Sequence, residues 1–444
     1  MDGAMMHAGL EIAGAARPLR ILLSAYACEP HKGSEPGIGW HWARALARAG
    51  HDVWVLTRAN NRDAIEDALA GQPGPAPQFV YYDLPPRLRW WKRGGRGVRL
   101  YYVLWQWGAY RLARRLSREV RFDIVHHITF GVFRHPSFMA FLDVPFVFGP
   151  VGGGETAPSR LRRTFPLRGY LTDLFRDAAN RLARIDPLMT AVYHRSAAIL
   201  CKTRETLECI PPRYRDKCRV RVEVGIGGDG MPPMPGRRPE DGCFRVLYAG
   251  RLVYWKGLHL GLMAFARLLG ICHGQAHLTV IGDGPDQIWL HRLAHRLGID
   301  RDITWIPWLE REAVMRAYPE HDAFLFPSLH DSSGNVVLEA LSCGLPVVCL
   351  DAGGPAVLVD SSCGFRIPPG EPEEVVQKLA QALAVLADNT ALAQQMGEAA
   401  ARRAHRQFSW THQAARMESL YLSVCGEPDS AQRLMTQPME RGVR

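Results

Sequence analysis

No stretch of this sequence is long and apolar enough to cross a bilayer. A spanning helix needs roughly 18–20 apolar residues. Residues 138–154 come nearest, but Asp143, Pro145 and Pro150 interrupt them, so a buried strand is expected there. The first sixteen residues carry acids and lack a sustained apolar core, so no secretory leader is expected in them. The ten cysteines, at 28, 201, 209, 218, 243, 272, 343, 349, 363 and 425, include no Cys-x-x-Cys pair and no accompanying histidine cluster. That spacing argues against a zinc site and for reduced thiols in a cytoplasmic protein. A dinucleotide fingerprint is also missing. Gly33-Ser-Glu-Pro-Gly37-Ile-Gly39 follows a strand, but it lacks the third glycine, and Trp40 crowds the turn.

What is present is an ordinary globular balance over 444 residues, 47% hydrophobic and 22% charged, enough for two or three domains. The formal charge of +10 points to an anionic partner.

Strands are expected at 20–26, 53–57, 79–83, 123–127 and 145–149, with helices at 40–49 and 63–70 and further helical stretches between. Residues 229–242 are rich in Pro and Gly and read as a linker. The pattern then restarts, with strands at 244–250, 278–281, 303–306, 323–326 and 346–350, a helix at 257–269, and a mostly helical tail at 373–424. Alternation of this kind means α/β architecture with parallel, doubly wound sheets. Two Rossmann-like halves are expected, at 1–228 and 243–409. Ligands in such sheets bind beyond the carboxyl ends of the strands, which here is the cleft between the halves.

The strongest constellation lies in the second half. Gly250-Arg251-Leu-Val-Tyr-Trp-Lys256-Gly257 puts two cations at a strand end, just before a helix. Arginine binds phosphate oxygens bidentately and lysine adds a point charge, which suits a diphosphate. Farther on, Asp331-Ser-Ser-Gly334-Asn335-Val336-Val-Leu-Glu339 runs from an acid through a small turn into a helix. Free N–H groups at such a helix start form an anion site, and Glu339 sits where it can reach a ribose hydroxyl pair. Taken singly, each of these residues also fits an ordinary charged surface position. In the first half, Gly37 and Gly39 open a helix, His126 and His127 end a strand, and Gly153 lies in a glycine-rich strand end (Gly-Pro-Val-Gly-Gly-Gly-Glu) where a backbone can approach a ligand closely. Strand alternation points only one of the two histidines at the cleft; His127 is slightly preferred.

The acid pair Asp331-x7-Glu339 resembles the E-x7-E signature of the retaining glycosyltransferase family 4, as found in bacterial polysaccharide-biosynthesis enzymes. Gly-Arg251-Leu…Lys256-Gly is similar to that family's diphosphate clamp. Asp351-Ala-Gly-Gly354-Pro355, Cys363-Gly364-Phe365 and Phe408-Ser-Trp410 are similar to its later turns and to the place where the chain crosses back to the first domain. The resemblance implies a GT-B fold, two facing Rossmann-like domains with the nucleotide-sugar in the cleft, and a C-terminal helix at about 410–426 joined to the first domain. It implies a retaining transfer of a hexose from a UDP- or GDP-sugar to a lipid-linked or growing glycan acceptor, with no metal or other cofactor. In that scheme Arg251 and Lys256 neutralise the departing diphosphate, Asp331 positions the sugar, Glu339 the ribose, and a histidine such as His127 lies near the donor sugar. The family's first acid is Glu. Asp331 is shorter by one methylene, which bears on the choice of sugar.

Asp300-Arg-Asp302 is formally a metal-binding DxD, but it falls in a short helix-to-strand connection and reads as turn chemistry. Residues 84–122 hold eleven cations against the single acid Glu119, interleaved with Trp90, Trp91, Tyr101, Tyr102, Trp105, Trp107 and Tyr110. That mixture suits the anionic inner face of a membrane, so peripheral cytoplasmic attachment is expected. A plain amphipathic helix with core aromatics is the alternative, and no nucleic-acid motif accompanies the segment. Beside the enzyme stand two other functions. One is a non-catalytic, membrane-associated nucleotide-sugar binder, which slow donor hydrolysis would exclude. The other is a dehydrogenase, which the broken glycine fingerprint disfavours.

Overall fold

The computed structural model describes residues 17–71, 74–91, 97–227 and 242–426. The first half holds β1 (Arg20–Ser24), α1 (Ser34–Arg48), β2 (Asp52–Arg58), α2 (Arg62–Ala70), β3 (Gln78–Tyr82), α3 (Val98–Glu119), β4 (Ile124–His127), β5 (Phe146–Val151), α4 (Leu167–Leu182), α5 (Pro187–Arg195), β6 (Ser196–Cys201), α6 (Arg204–Cys209) and β7 (Cys218–Val220). Its seven strands, in the order β3-β2-β1-β4-β5-β6-β7, are all parallel. Central strands such as β4 and β5 are buried along their whole length, as a sheet covered on both faces requires.

The second half holds β8 (Phe244–Ala249), α7 (Leu258–Ile271), β9 (Ala276–Ile281), α8 (Gln287–Leu297), β10 (Ile303–Ile306), α9 (Arg311–Ala317), β11 (Ala323–Phe326), α10 (Asn335–Ser342), β12 (Val347–Leu350), α11 (Gly353–Leu358), β13 (Gly364–Ile367), α12 (Pro372–Asp388), α13 (Thr390–Phe408) and α14 (Trp410–Val424). Its six strands run parallel in the order β10-β9-β8-β11-β12-β13. The expected α/β class with two Rossmann-like sheets is what forms, and the GT-B arrangement follows from it. The expected linker lies outside the described residues, apart from Gly242.

Helices α12 and α13 pack on the second domain, against α7 and α10, whereas α14 packs on α1 of the first. The chain crosses back to the first domain between Phe408 and Trp410, beside Ile226. Ile226 N–H donates to the Phe408 carbonyl at 2.8 Å, and Trp410 N–H donates to the Ile226 carbonyl at 2.9 Å. The Trp410 ring lies on Gly225, where an ideal Cβ would come within 2.7 Å of it.

Three local expectations are corrected. The first helix begins at Ser34, before residue 40, so Gly37 and Gly39 are helical and buried and not part of a loop. A Cβ on Gly37 would meet the Lys32 carbonyl oxygen at 2.0 Å, and one on Gly39 would meet that of Ala27 at 2.2 Å. These glycines let the helix lie on the loop that precedes it. Strands β6, β7 and β13 form where no strand was expected. The aromatics of the basic segment divide. Tyr101, Tyr102 and Trp105 are buried in the core beside Tyr26, while Trp90 and Trp107 are exposed.

Candidate active site

The site is built from strand ends. The loops after β4, β5 and β6 and the start of α1 bring Gly131, Val132, Gly152, Gly153, Lys202 and Glu35 to one wall of a cavity of about 330 Å3. The loops after β8 and β11 bring Trp255, Lys256, His330, Asp331, Ser332 and Ser333 to the other. The carboxyl ends of both sheets therefore face each other across it, as open α/β sheets place ligands. A larger cavity of about 550 Å3 lies at the opposite end of the first sheet. There Arg20 pairs with Asp52 at 2.8 Å and Arg17 with Asp123 at 3.1 Å, so much of its charge is already neutralised.

Gly257 lets the β8 loop reach the cavity. Its φ is +71°, and a Cβ would stand 1.9 Å from the Pro327 carbonyl oxygen, so the two second-domain loops pack without a side chain between them. That contact sets Lys256 against Asp331, and the two form a direct ion pair. The other Asp331 oxygen accepts from the N–H groups of Ser333 and Gly334, both at 3.1 Å, and so shapes the turn into α10. Burial pushes the Asp331 carboxyl up, but Lys256 and those N–H donors outweigh it, and the group is held below its usual range. It stays a carboxylate and holds the Lys256 side chain in place by the ion pair.

The remaining expected residues fall into two groups. Gly153 lines the cavity at φ +93°. Gly334, at φ +70°, leads into α10, whose first residues are Asn335 and Val336; the Asn335 side-chain oxygen is buried and has no hydrogen-bond partner among the described residues. Glu339 lies outside the cavity. It accepts from Arg311 Nε and from the Tyr318 hydroxyl, each at 3.3 Å, and burial raises its carboxyl above the usual range against the pull of Arg311 and Tyr318. Arg251 stands exposed beyond β8 and is not a cavity wall. Gly37 and Gly39 support α1 from inside.

His126 and His127 point to opposite faces of the first sheet. His126 meets the Tyr421 hydroxyl of α14 at 2.6 Å and the Gly149 carbonyl at 2.5 Å. His127 meets the Tyr102 hydroxyl of α3 at 3.3 Å. Neither lines the cavity. Burial pushes His126 down to about 4 and His127, beside two other histidines, down to about 3. His259 is held down to about 3 by burial alone. Groups like these stay neutral in the fold while an unfolded chain protonates near the ordinary histidine value of 6.5. Stability is therefore unaffected by them above that value and falls as the pH drops from there toward about 4. Urea midpoints measured at about pH 7.5 and about pH 5 should show a clearly lower midpoint at the acid end. An unchanged midpoint would mean that these histidines take up protons in place.

Several residues of the site carried no motif. Glu35 closes the cavity at the start of α1, and burial, with Lys202 opposing, raises its carboxyl. Lys202 pairs with the buried Glu223 at 2.5 Å. His330 stacks on Trp255 at 5.6 Å, only 9° from parallel, and is held from behind by Arg176 at 2.7 Å and Asp173 at 3.5 Å. The loop between Asp331 and Gly334 is also tied to the first domain. Ser332 donates to Glu155 at 2.6 Å, and Ser333 donates to Glu223. The one signal available for Lys202 was its place after the apolar run Ala-Ile-Leu-Cys. Asp300 and Asp302 lie in a single 3-10 turn, where Asp300 meets His295 at 3.0 Å, away from the cavity.

Two family models match this chain, "Glycosyltransferase Family 4" over residues 40–222 and "Glycosyl transferases group 1" over residues 237–403. The chain belongs to the family 4 glycosyltransferases. It is 31% identical over 193 residues to the glycogen synthase of Mycobacterium tuberculosis, a match covering 43% of this chain and 45% of that one. It is 31% identical over 212 residues to the lipopolysaccharide core biosynthesis glycosyltransferase LpsE of Rhizobium meliloti, covering 46% and 58%. The chain thus spans about half the length of the curated relatives it matches. Anabaena HepE in complex with UDP and glucose shares the fold, with a TM-score of 0.55, 18% identity, and coverage of 90% of this chain and 99% of that one. Both family models meet at the cavity. The first contributes the loops after β4, β5 and β6, and the second contributes Lys256 and Asp331.

Proposed function

We propose that this family 4 glycosyltransferase moves a hexose from a UDP- or GDP-linked donor to a lipid-linked or growing glycan acceptor, with retention and without a metal. The observation that carries this is the juxtaposition of Lys256 and Asp331 on one wall of the interdomain cavity, with the Asp331–Ser333 turn leading through Gly334 into α10. A nucleoside diphosphate leaves as a polyanion. A preorganised cation and free N–H groups at a helix start stabilise developing charge of that kind. Lys256 keeps ammonium protons beyond the one given to Asp331, and exposed Arg251 stands one short loop away to clamp the phosphates. Retention places acceptor attack on the same face as the departing diphosphate, whose oxygen takes the acceptor proton, so no carboxylate nucleophile is required. Asp331 would then orient the sugar through the turn that it holds, and Glu339 would meet the ribose after releasing Arg311 or Tyr318. UDP and glucose in the HepE complex, and lipopolysaccharide core synthesis by LpsE, support the donor and acceptor classes.

Among the described residues no helix is long and apolar enough to span a membrane. The basic segment, with Trp90 and Trp107 exposed, is assigned to the anionic inner face of a membrane, where a lipid-linked acceptor would meet the first domain.

Screening UDP- and GDP-sugars by thermal shift, then by donor hydrolysis without acceptor, tests the donor and separates an enzyme from a binder. Turnover should persist in excess EDTA, because the cations of the cleft take the place of an ion. Loss in EDTA with rescue by Mn2+ would overturn the metal-free scheme and return attention to Asp300 and Asp302.

A further inference from the structure

Helix α4 has two working faces, and only one is explained by the cleft. On the inner face, Gly169 packs on the Tyr254 ring, Asp173 accepts from the Tyr254 hydroxyl at 3.2 Å, and Arg176 donates to the Glu155 carbonyl at 2.6 Å while reaching His330. At its start, Arg168 pairs with Asp286 of the second domain at 2.5 Å. These contacts hold the helix against the second domain, next to His330 of the cavity wall.

Among the described residues the outer face is apolar and uncovered. Leu167, Leu171, Leu174 and Phe175 recur at helical spacing, and Leu182 and Ile185 continue the row, with Phe175 at 76% and Ile185 at 78% exposure. Scattered exposed apolar residues need no explanation, but a continuous row along a helix does. Its flanks are cationic. Arg163 and Arg181 are exposed and make no ion pair among the described residues. The acids of this stretch are spent: Asp173 is buried, Asp177 pairs with Arg162 at 2.5 Å, and Asp186 caps α5 by accepting from Leu188 N–H at 2.8 Å. An apolar row between exposed arginines is the pattern of a helix lying in a lipid interface. A symmetric contact between two copies would set these arginines against their own kind, which like-charge repulsion opposes.

We propose that α4 seats this protein on an anionic bilayer, its apolar row entering the headgroup boundary and its arginines pairing lipid phosphates, so that the cavity opens beside the membrane. This surface is distinct from the basic segment 84–122 and stands whatever the donor proves to be. A second exposed row on α3, formed by Leu100, Val103, Leu104 and Trp107, lies on the same side of the first sheet as α5, which follows α4. It belongs to the basic segment and is not part of the α4 surface.

The test is co-sedimentation of the full chain with phosphatidylcholine vesicles, with and without phosphatidylglycerol. The wild type should bind the mixed vesicles and ignore the neutral ones. The double variant Leu171→Ser with Phe175→Ser leaves the charge alone and touches no cavity residue. It should lose about tenfold in vesicle partition while keeping its melting temperature and its response to UDP. The proposal is overturned if the double variant partitions like the wild type or if the wild type ignores phosphatidylglycerol. It is equally overturned if ultracentrifugation shows a dimer that the double variant disperses, which would assign the row to self-association. Absence of a UDP response in a wild type that still binds vesicles would count against the donor assignment alone.

Discussion

Lys256→Ala is expected to lower turnover about a hundredfold, the scale of losing one preorganised charge contact in a cleft. A second effect separates it from an ordinary surface change. Asp331 would be left mostly buried without its cation, at a cost of about 2 kcal/mol in unfolding free energy. Arg251→Ala should cost a comparable factor in turnover with no change in stability, because Arg251 is exposed. The double variant Lys256→Ala with Asp331→Asn removes both charges, so its stability should recover toward wild type while turnover stays low. Steady-state kinetics paired with urea unfolding reads both quantities. Recovery of turnover in the double variant would show that Lys256 serves only to neutralise Asp331, and that the diphosphate is stabilised by other groups.

The second large effect concerns Glu155. Its carboxylate is 2% exposed and accepts from Gly153 N–H at 2.9 Å, Thr203 at 2.8 Å, Thr206 at 2.7 Å and, across the domain boundary, Ser332 at 2.6 Å. Burial pushes this carboxyl up, but the hydroxyl donors win and hold it below the usual range. Glu155→Ala strands those donors in the interior and should cost about 3–5 kcal/mol, as breaking a buried charged network does. It should also loosen the Ser332 loop and raise the KM for the donor. Glu155→Gln keeps one acceptor oxygen and should lose clearly less. The linkage has a fixed sign. A carboxyl depressed in the fold stabilises above its unfolded value and loses that contribution as the pH falls through its folded value. The Glu155→Ala variant should therefore lose less of its stability in the acid range than the wild type does. If the alanine variant unfolds at the wild-type urea concentration, the network does not hold the domains.

Much of the fold was legible along the chain, because a buried parallel strand is a short apolar run and β1, β2, β4, β8, β11 and β12 are such runs. β6 was missed although Ala-Ile-Leu-Cys is equally apolar, since helical stretches surround it. β7 and β13 were missed because edge strands of three or four residues carry little periodicity. The start of α1 was misplaced because Pro36, Gly37 and Gly39 are poor helix formers, and their helical state depends on packing against the Lys32 and Ala27 carbonyls.

The same division holds for the site. Motif spacing singled out Lys256 and Asp331, which line the cavity, and Gly334 just beyond it, because charge, turn and helix start are local and adjacent in sequence. Local chemistry could not show that Lys256 and Asp331 pair with each other, that His126 and His127 turn to opposite faces, or that Glu339 is engaged by Arg311 and Tyr318. Nor could it show that Glu35, Glu155 and Lys202 converge on the loop between Asp331 and Gly334, since those residues come from three other strand–helix units. The sequence by itself determined the family, the parallel sheets and the strand ends that line the cavity, all set by patterns spanning a few residues. Only the tertiary structure decided which charges neutralise one another and which face of α4 is left bare, because burial and distance between remote segments exist only once both sheets have packed.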